Sequence, residues 1–124
     1  MNNKLNLNAV IGGNYLYRLR CKYELRLIDV ADGIGISVNY LSEIENGKRV
    51  PRDEMIRNIN IFYGVDEVEL FDKFGRVSLS VVEELRKDVG LHRRVWELVK
   101  EKGSNKYWLY RDIYNINIKI LPNS

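Results

Sequence analysis

The sequence has a single cysteine, a single histidine and two prolines in 124 residues. Cys21 alone cannot close an intramolecular disulfide, and with His92 as the one imidazole no Cys/His zinc set can form. No uninterrupted apolar stretch approaches the ~18 residues of a membrane span. The polar, Asn-rich residues 1–8 lack the apolar core of a signal peptide, so a cytoplasmic location and no membrane contact are expected. Paired carboxylates in a cleft, a phosphate-cradling glycine loop and a nucleophile–base set are also missing. The expectation is therefore no enzyme, no metal and no cofactor.

What is present is the composition of a globular protein, 45% hydrophobic and 30% charged. The length accommodates one self-sufficient domain of roughly 60–70 residues plus an extension. A net charge of +3 is compatible with nucleic acid without implying it. Its distribution is more telling: Asp66, Glu67, Glu69 and Asp72 crowd together, whereas Lys48, Arg49 and Arg52 stand around one turn. The richness in Asn, Ile, Lys and Tyr points to an AT-rich genome, that of a low-GC bacterium or its mobile elements.

Apolar spacing predicts a chain of short helices. In residues 15–23, Leu16 and Leu19 sit at helical spacing beside Tyr15 and Tyr23, with Arg18, Arg20 and Lys22 in the same segment. Residues 27–34 place Leu27, Val30, Ala31 and Ile34 on one face and stop at Gly33-Ile34-Gly35, where glycine can adopt positive φ. Ser37 suits the N-cap of a third helix over 38–46, closed by Gly47. Leu41 and Ile44 form its inward stripe, leaving Val38, Asn39, Ser42, Glu43 and Asn46 outside.

After the loop containing Pro51, a fourth helix over 52–63 buries Met55, Ile56, Ile59 and Phe62 and ends at Gly64. A fifth spans 65–74 through Val68, Leu70, Phe71 and Phe74. Beyond Gly75, Ser80 is expected to cap a helix over 80–88 with Glu83 three residues on. Gly90 interrupts the pattern, and 91–102 forms another helix with Leu91, Val95, Leu98 and Val99 inward. In the last segment Trp108, Leu109, Asp112, Ile113, Ile116 and Ile120 suit a helix. Ile116, Ile118 and Ile120 alternating with Asn117 and Lys119 suit an edge strand; helix is preferred.

The informative stretch is residues 25–49. Two helices joined by a tight glycine turn must pack closely at a steep angle. That requires a small residue facing the partner helix, Ala31, and a turn residue free of Cβ strain, Gly35, with Ile36, Leu41 and Ile44 locking the crossing. Residues 25–47 are thus built as a helix-turn-helix. The chain also closely resembles the phage-repressor (Cro/repressor, XRE-like) helix-turn-helix family over residues 11–71. The matching pieces are Leu16-x-x-Leu19-Arg20, Leu27-x-x-Val30-Ala31, Gly35-Ile36-Ser37, Tyr40-Leu41-Ser42-x-Ile44-Glu45-x-Gly47-Lys48-Arg49 and Pro51.

The resemblance implies an all-α fold: a five-helix repressor-like helix-turn-helix domain followed by a small, mainly helical C-terminal extension. It implies that the third helix enters the major groove of double-stranded DNA. By position the base-reading residues are then Val38, Asn39 and Glu43, with Tyr40 and Ser42 beside them. Val38 suits a thymine methyl, Asn39 an adenine, and Glu43 a cytosine amine, provided that the carboxylate finds that amine or a cation. Phosphate binding falls to Asn46, Lys48 and Arg49, aided by the amides at Ser37 and by Arg52. Arg20 and Glu45 are paired inside the domain in this family, and a structural ion pair is preferred to a DNA contact.

Two features depart from the family pattern. Leu27 and Ile28 occupy the start of the second helix, where glutamine is common. Arg26 replaces the usual Ser or Thr cap, at about 1 kcal/mol of local stability. Elsewhere His92 beside Arg93 and Arg94 reads as a solvated face rather than a pH switch, and Cys21 as a packing residue rather than a redox sensor. Trp96, Trp108 and nearby tyrosines suit core or dimer interface better than a ligand pocket. The expected organisation is a flexible tail over 1–8, the DNA-binding domain over 9–75, and a C-terminal helical region over 76–124 that makes a homodimer or holds a protein partner. The expected function is a sequence-specific transcriptional regulator, a dimeric repressor on a palindromic operator, nucleoid-associated and of a phage, plasmid or other mobile element. The alternative is an antitoxin or adaptor that holds a partner through its C-terminal helices.

Overall fold

Helical periodicity runs through all the residues that the computed structural model describes, 6–102. Among them are seven helices and no strand: α1 (Leu7–Lys22), α2 (Leu27–Ile34), α3 (Val38–Glu45), α4 (Asp53–Tyr63), α5 (Glu67–Lys73), α6 (Leu79–Lys87) and α7 (Val89–Lys102). They divide into two compact units, the first ending at Leu79 and the second beginning at Ser80. The expectation for residues 108–120 lies outside the described residues. No described helix is long and apolar enough to cross a membrane.

In the first unit Leu16, Ile44, Ile56, Ile59, Leu70, Phe71, Phe74 and Leu79 form one core cluster. Val30, Ala31 and Leu41 form a second, at the α2–α3 crossing. The turns after α2, α3, α4 and α5 each carry a glycine at positive φ: Gly35, Gly47, Gly64 and Gly75. Gly35, at φ +86°, ends α2 and donates to the Ala31 carbonyl at 2.8 Å. Nothing lies within 4 Å of where its Cβ would be, so the left-handed backbone, not space, demands glycine.

The largest departure from the sequence expectation is the start of α1. It begins at Leu7 rather than at Tyr15, with the Asn6 side chain capping Ala9 N–H at 3.0 Å. Asn6, Leu7 and Asn8 are therefore cap and first turn, not tail. Gly12-Gly13 looks like a helix breaker, but both glycines are buried at contacts. A Cβ on Gly12 would run into the Phe74 ring, and one on Gly13 into the Ile44 carbonyl. Their weak helix propensity is outweighed by the close approach that they permit.

Smaller differences have local causes. Asp66 caps α5 by accepting from Glu69 N–H at 3.0 Å, so that helix starts at Glu67. α6 opens at Leu79, which places Ser80 inside its first turn rather than ahead of it. Gly90 lies within α7, because Asp88 accepts from Leu91 N–H at 3.0 Å and restarts the helix there. Arg26 cannot accept a hydrogen bond as a cap, yet the Asp29 carboxylate reaches back to its N–H at 2.9 Å and to its guanidinium. That arrangement offsets part of the missing cap, and the Arg26 guanidinium beside it holds the Asp29 carboxyl below its ordinary range.

Tyr63 is the one described residue whose side-chain polar atom is buried with no hydrogen-bond partner. Burial pushes its phenol up to about 12. Between pH 10 and about 12 the unfolded chain ionises at this tyrosine while the folded chain does not, so stability is lost as pH rises through that window. Tyr63→Phe should be no less stable at neutral pH and should show a shallower fall in Tm from pH 10 to 12. Gly13→Ala tests the helix contact: despite better propensity it should lower stability by about 1–3 kcal/mol in urea denaturation.

Candidate nucleic-acid interface

α3 is positioned at both ends by short-range bonds. At its start Ser37 Oγ accepts from Tyr40 N–H at 3.0 Å. At its end Lys48 N–H donates to the Glu43 carbonyl at 2.9 Å and Gly47 N–H to that of Ile44 at 3.1 Å, with Gly47 at φ +74°. This paired closure turns the chain sharply, so Lys48 and Arg49 come back beside the helix they follow.

The inward side of α3 is Leu41, Ile44 and Glu45, all buried. Glu45 is held by Arg20 of α1: Nε lies 2.9 Å from Oε2 and Nη2 2.9 Å from Oε1. The Glu45 side chain is only 5% exposed and that of Arg20 14%. Nη1 of the same guanidinium donates to the Leu25 carbonyl at 3.0 Å. One side chain thus ties α1 to α3 and closes the α1–α2 turn, where Glu24 sits at φ +54°. The bidentate bond to Glu45 raises the Arg20 pKa further.

The opposite side carries Asn39 and Asn46, both exposed, with Ser42 and Glu43 half-buried. Asn46 Nδ2 donates to Ser42 Oγ at 3.3 Å. Ser37, Lys48 and Arg52 are exposed. Two residues stand differently from the sequence picture of an outward face. Val38 is half-buried against the α2–α3 cluster, and Tyr40 is half-buried against the main core. Neither is an ordinary solvent-facing position, because each borders the stripe that anchors the helix.

A contact that sequence reasoning did not anticipate joins Glu43 to Arg49. Arg49 Nε donates to Glu43 Oε1 at 3.0 Å, and its guanidinium lies over the Tyr40 ring at 5.3 Å from the centroid. The six-residue separation spans a loop, so helix periodicity gives no signal for it. The carboxylate on the outer face has found its cation within the chain.

Other candidate residues stand apart from this surface. Cys21 is exposed on α1, which corrects its reading as a packing residue. His92, Arg93 and Arg94 are exposed on α7, as is Trp96, whose ring carries Lys100 at 5.8 Å. Among the described residues no three His, Cys, Asp or Glu side chains gather as a metal site would require.

A short helix held across another by a glycine turn, presenting a polar face beside a basic loop, defines a DNA-binding helix-turn-helix. Residues 16–70 match the family model described as Helix-turn-helix. This segment is a helix-turn-helix domain of the Cro/repressor (XRE) type, the kind of domain through which transcriptional regulators bind double-stranded DNA. Comparison with curated proteins and with solved structures gives no match.

Arg20→Ala or Glu45→Ala leaves the remaining charge buried, and either should lower unfolding stability by about 3–5 kcal/mol. Replacing both by apolar residues of similar volume should recover much of that loss in the same denaturation experiment. Equal loss for single and double variants would show that the charge itself is not what matters.

Proposed function

We propose that the chain is a sequence-specific repressor that binds a palindromic operator as a homodimer, with α3 in the major groove. The observation that carries this reading is the outer face of α3. Asn39 is exposed there at the helix start, and Lys48 is brought back beside the helix by the closure at Gly47. An asparagine at that place suits the adenine N6/N7 pair, and Ser42 lies one turn further along the same helix. Ser37, Asn46, Lys48 and Arg52 suit phosphate oxygens on either side, which add affinity without sequence preference. Val38 and Tyr40, at the margins of the face, suit apolar contact with a thymine methyl and the flank of the groove.

One such helix covers too few base pairs for selectivity, so two copies on half-sites ~34 Å apart are required. Residues 76–124 are the proposed source of the dimer contact. In support, α7 exposes Val89 and Trp96, one heptad apart, at 68% and 55%. The location that follows is the cytoplasm, at the nucleoid. An AT-rich, low-GC bacterial phage, plasmid or other mobile element is the proposed setting.

Selection of binding sites from random duplexes by the purified full chain tests this reading. An inverted repeat with half-site centres one helical turn apart is expected. A binding curve that falls alike for all sequences with added salt, and no enriched repeat, would sink it. Asn39→Ala should relax preference at one base of each half-site. Lys48→Ala should instead weaken all sites equally and flatten the dependence of log affinity on log salt by about one.

A further inference from the structure

Resting on the reading of α3 as the groove-binding helix, the geometry points to Arg49 as a reader of guanine, with Glu43 as its positioning residue. Arg49 is constrained from two sides. Its Nε donates to Glu43 Oε1 at 3.0 Å, and its guanidinium carbon lies over the Tyr40 ring, 5.3 Å from the centroid. Tyr40 is itself packed against the main core. The support is therefore part of the rigid domain rather than another mobile side chain.

The orientation leaves a specific donor set. With Nε engaged by the carboxylate, Nη1 and Nη2 make no hydrogen bond within the described residues and form a planar pair of donors. Guanine O6 and N7 present the matching pair of acceptors on the major-groove edge. Phosphate binding requires no such restraint, and a flexible lysine would serve it as well. The charge balance agrees. A lone carboxylate on this face would be repelled by the duplex, but paired with Arg49 it is neutralised before DNA arrives. The pair then contributes direction more than long-range attraction. Glu43 acts here through Arg49 and does not take a cytosine amine itself.

The test compares the full chain with Arg49→Ala, Arg49→Lys, Glu43→Ala and Glu43→Gln. Site selection is followed by affinities at several salt concentrations, and thermal unfolding confirms that each variant is folded. The wild type should select one guanine per half-site whose replacement lowers affinity roughly 5- to 150-fold. Arg49→Ala and Arg49→Lys should lose that preference alone. Glu43→Ala should blur it at unchanged Tm, while Glu43→Gln, which keeps an acceptor for Nε, should retain most of it. Placing 7-deazaguanine at that position should weaken wild type and leave Arg49→Ala unaffected.

Three results would overturn the inference and leave the regulator reading intact. One is Arg49→Ala keeping every base preference while weakening all sites and flattening the salt dependence, which is a phosphate anchor. Another is loss of a cytosine preference in Glu43→Ala but not in Arg49→Ala. The third is a wild-type half-site with no Arg49-dependent guanine. No enriched sequence for the wild type would overturn both.

Discussion

The bidentate bond between Arg20 and Glu45 is the constraint on which the first unit's geometry depends. It is nearly sealed from solvent, and it joins the helix that begins the domain to the inward side of α3. Its third arm, to the Leu25 carbonyl, holds the turn into α2. That turn carries Glu24 in the left-handed region, a conformation that a residue with a Cβ adopts at some cost. A buried ion pair contributes little net stability against an apolar alternative, but it is directional. A guanidinium with all three of its nitrogens engaged fixes an angle between helices that interchangeable leucines would leave softer.

Gly13 works on the same interface from the other side. Because it has no side chain, α1 can lie against the Ile44 and Glu45 carbonyls at the end of α3. Close approach and the ion pair are then mutually dependent: α1 must be near for Arg20 to reach Glu45 with both nitrogens. Gly12 does the same against Phe74, which brings α5 into the packing. The orientation of the outer face of α3 is thereby set from behind, by residues largely sealed from solvent.

Much of this was legible in the sequence, for physical reasons that can be named. The bounds of α2 matched because Gly35 marks its end unambiguously, and α3 was found to within a residue from Ser37 and Gly47. The inward stripe Leu41–Ile44 followed from period alone. The first two turns of α1 were missed because the evidence for them is not local. Gly12-Gly13 reads as a break unless one knows that Phe74 and the end of α3 lie against it. Arg26 was read as a lost cap, since the compensation by Asp29 depends on a backbone direction that no propensity encodes. The Glu43–Arg49 contact was hidden for a related reason: it is closed by the reversal at Gly47, not by helical spacing.

That reversal also changes what the outer face of α3 is. Seen as a list of residues, it mixes an asparagine, a serine and an unfavourable acid beside a free basic loop. With the chain folded back, the acid and the second basic residue form one unit over a tyrosine that the core supports. The consequence is a division of labour along the loop. Lys48 is an exposed ammonium on a flexible stem, suited to a diffuse target such as phosphate. Arg49, one residue on, is bonded through Nε to Glu43 and lies over the Tyr40 ring, so its guanidinium has partners that the Lys48 ammonium lacks. A sequence position that is ordinary by composition thus acquires two partners through a single turn in the backbone.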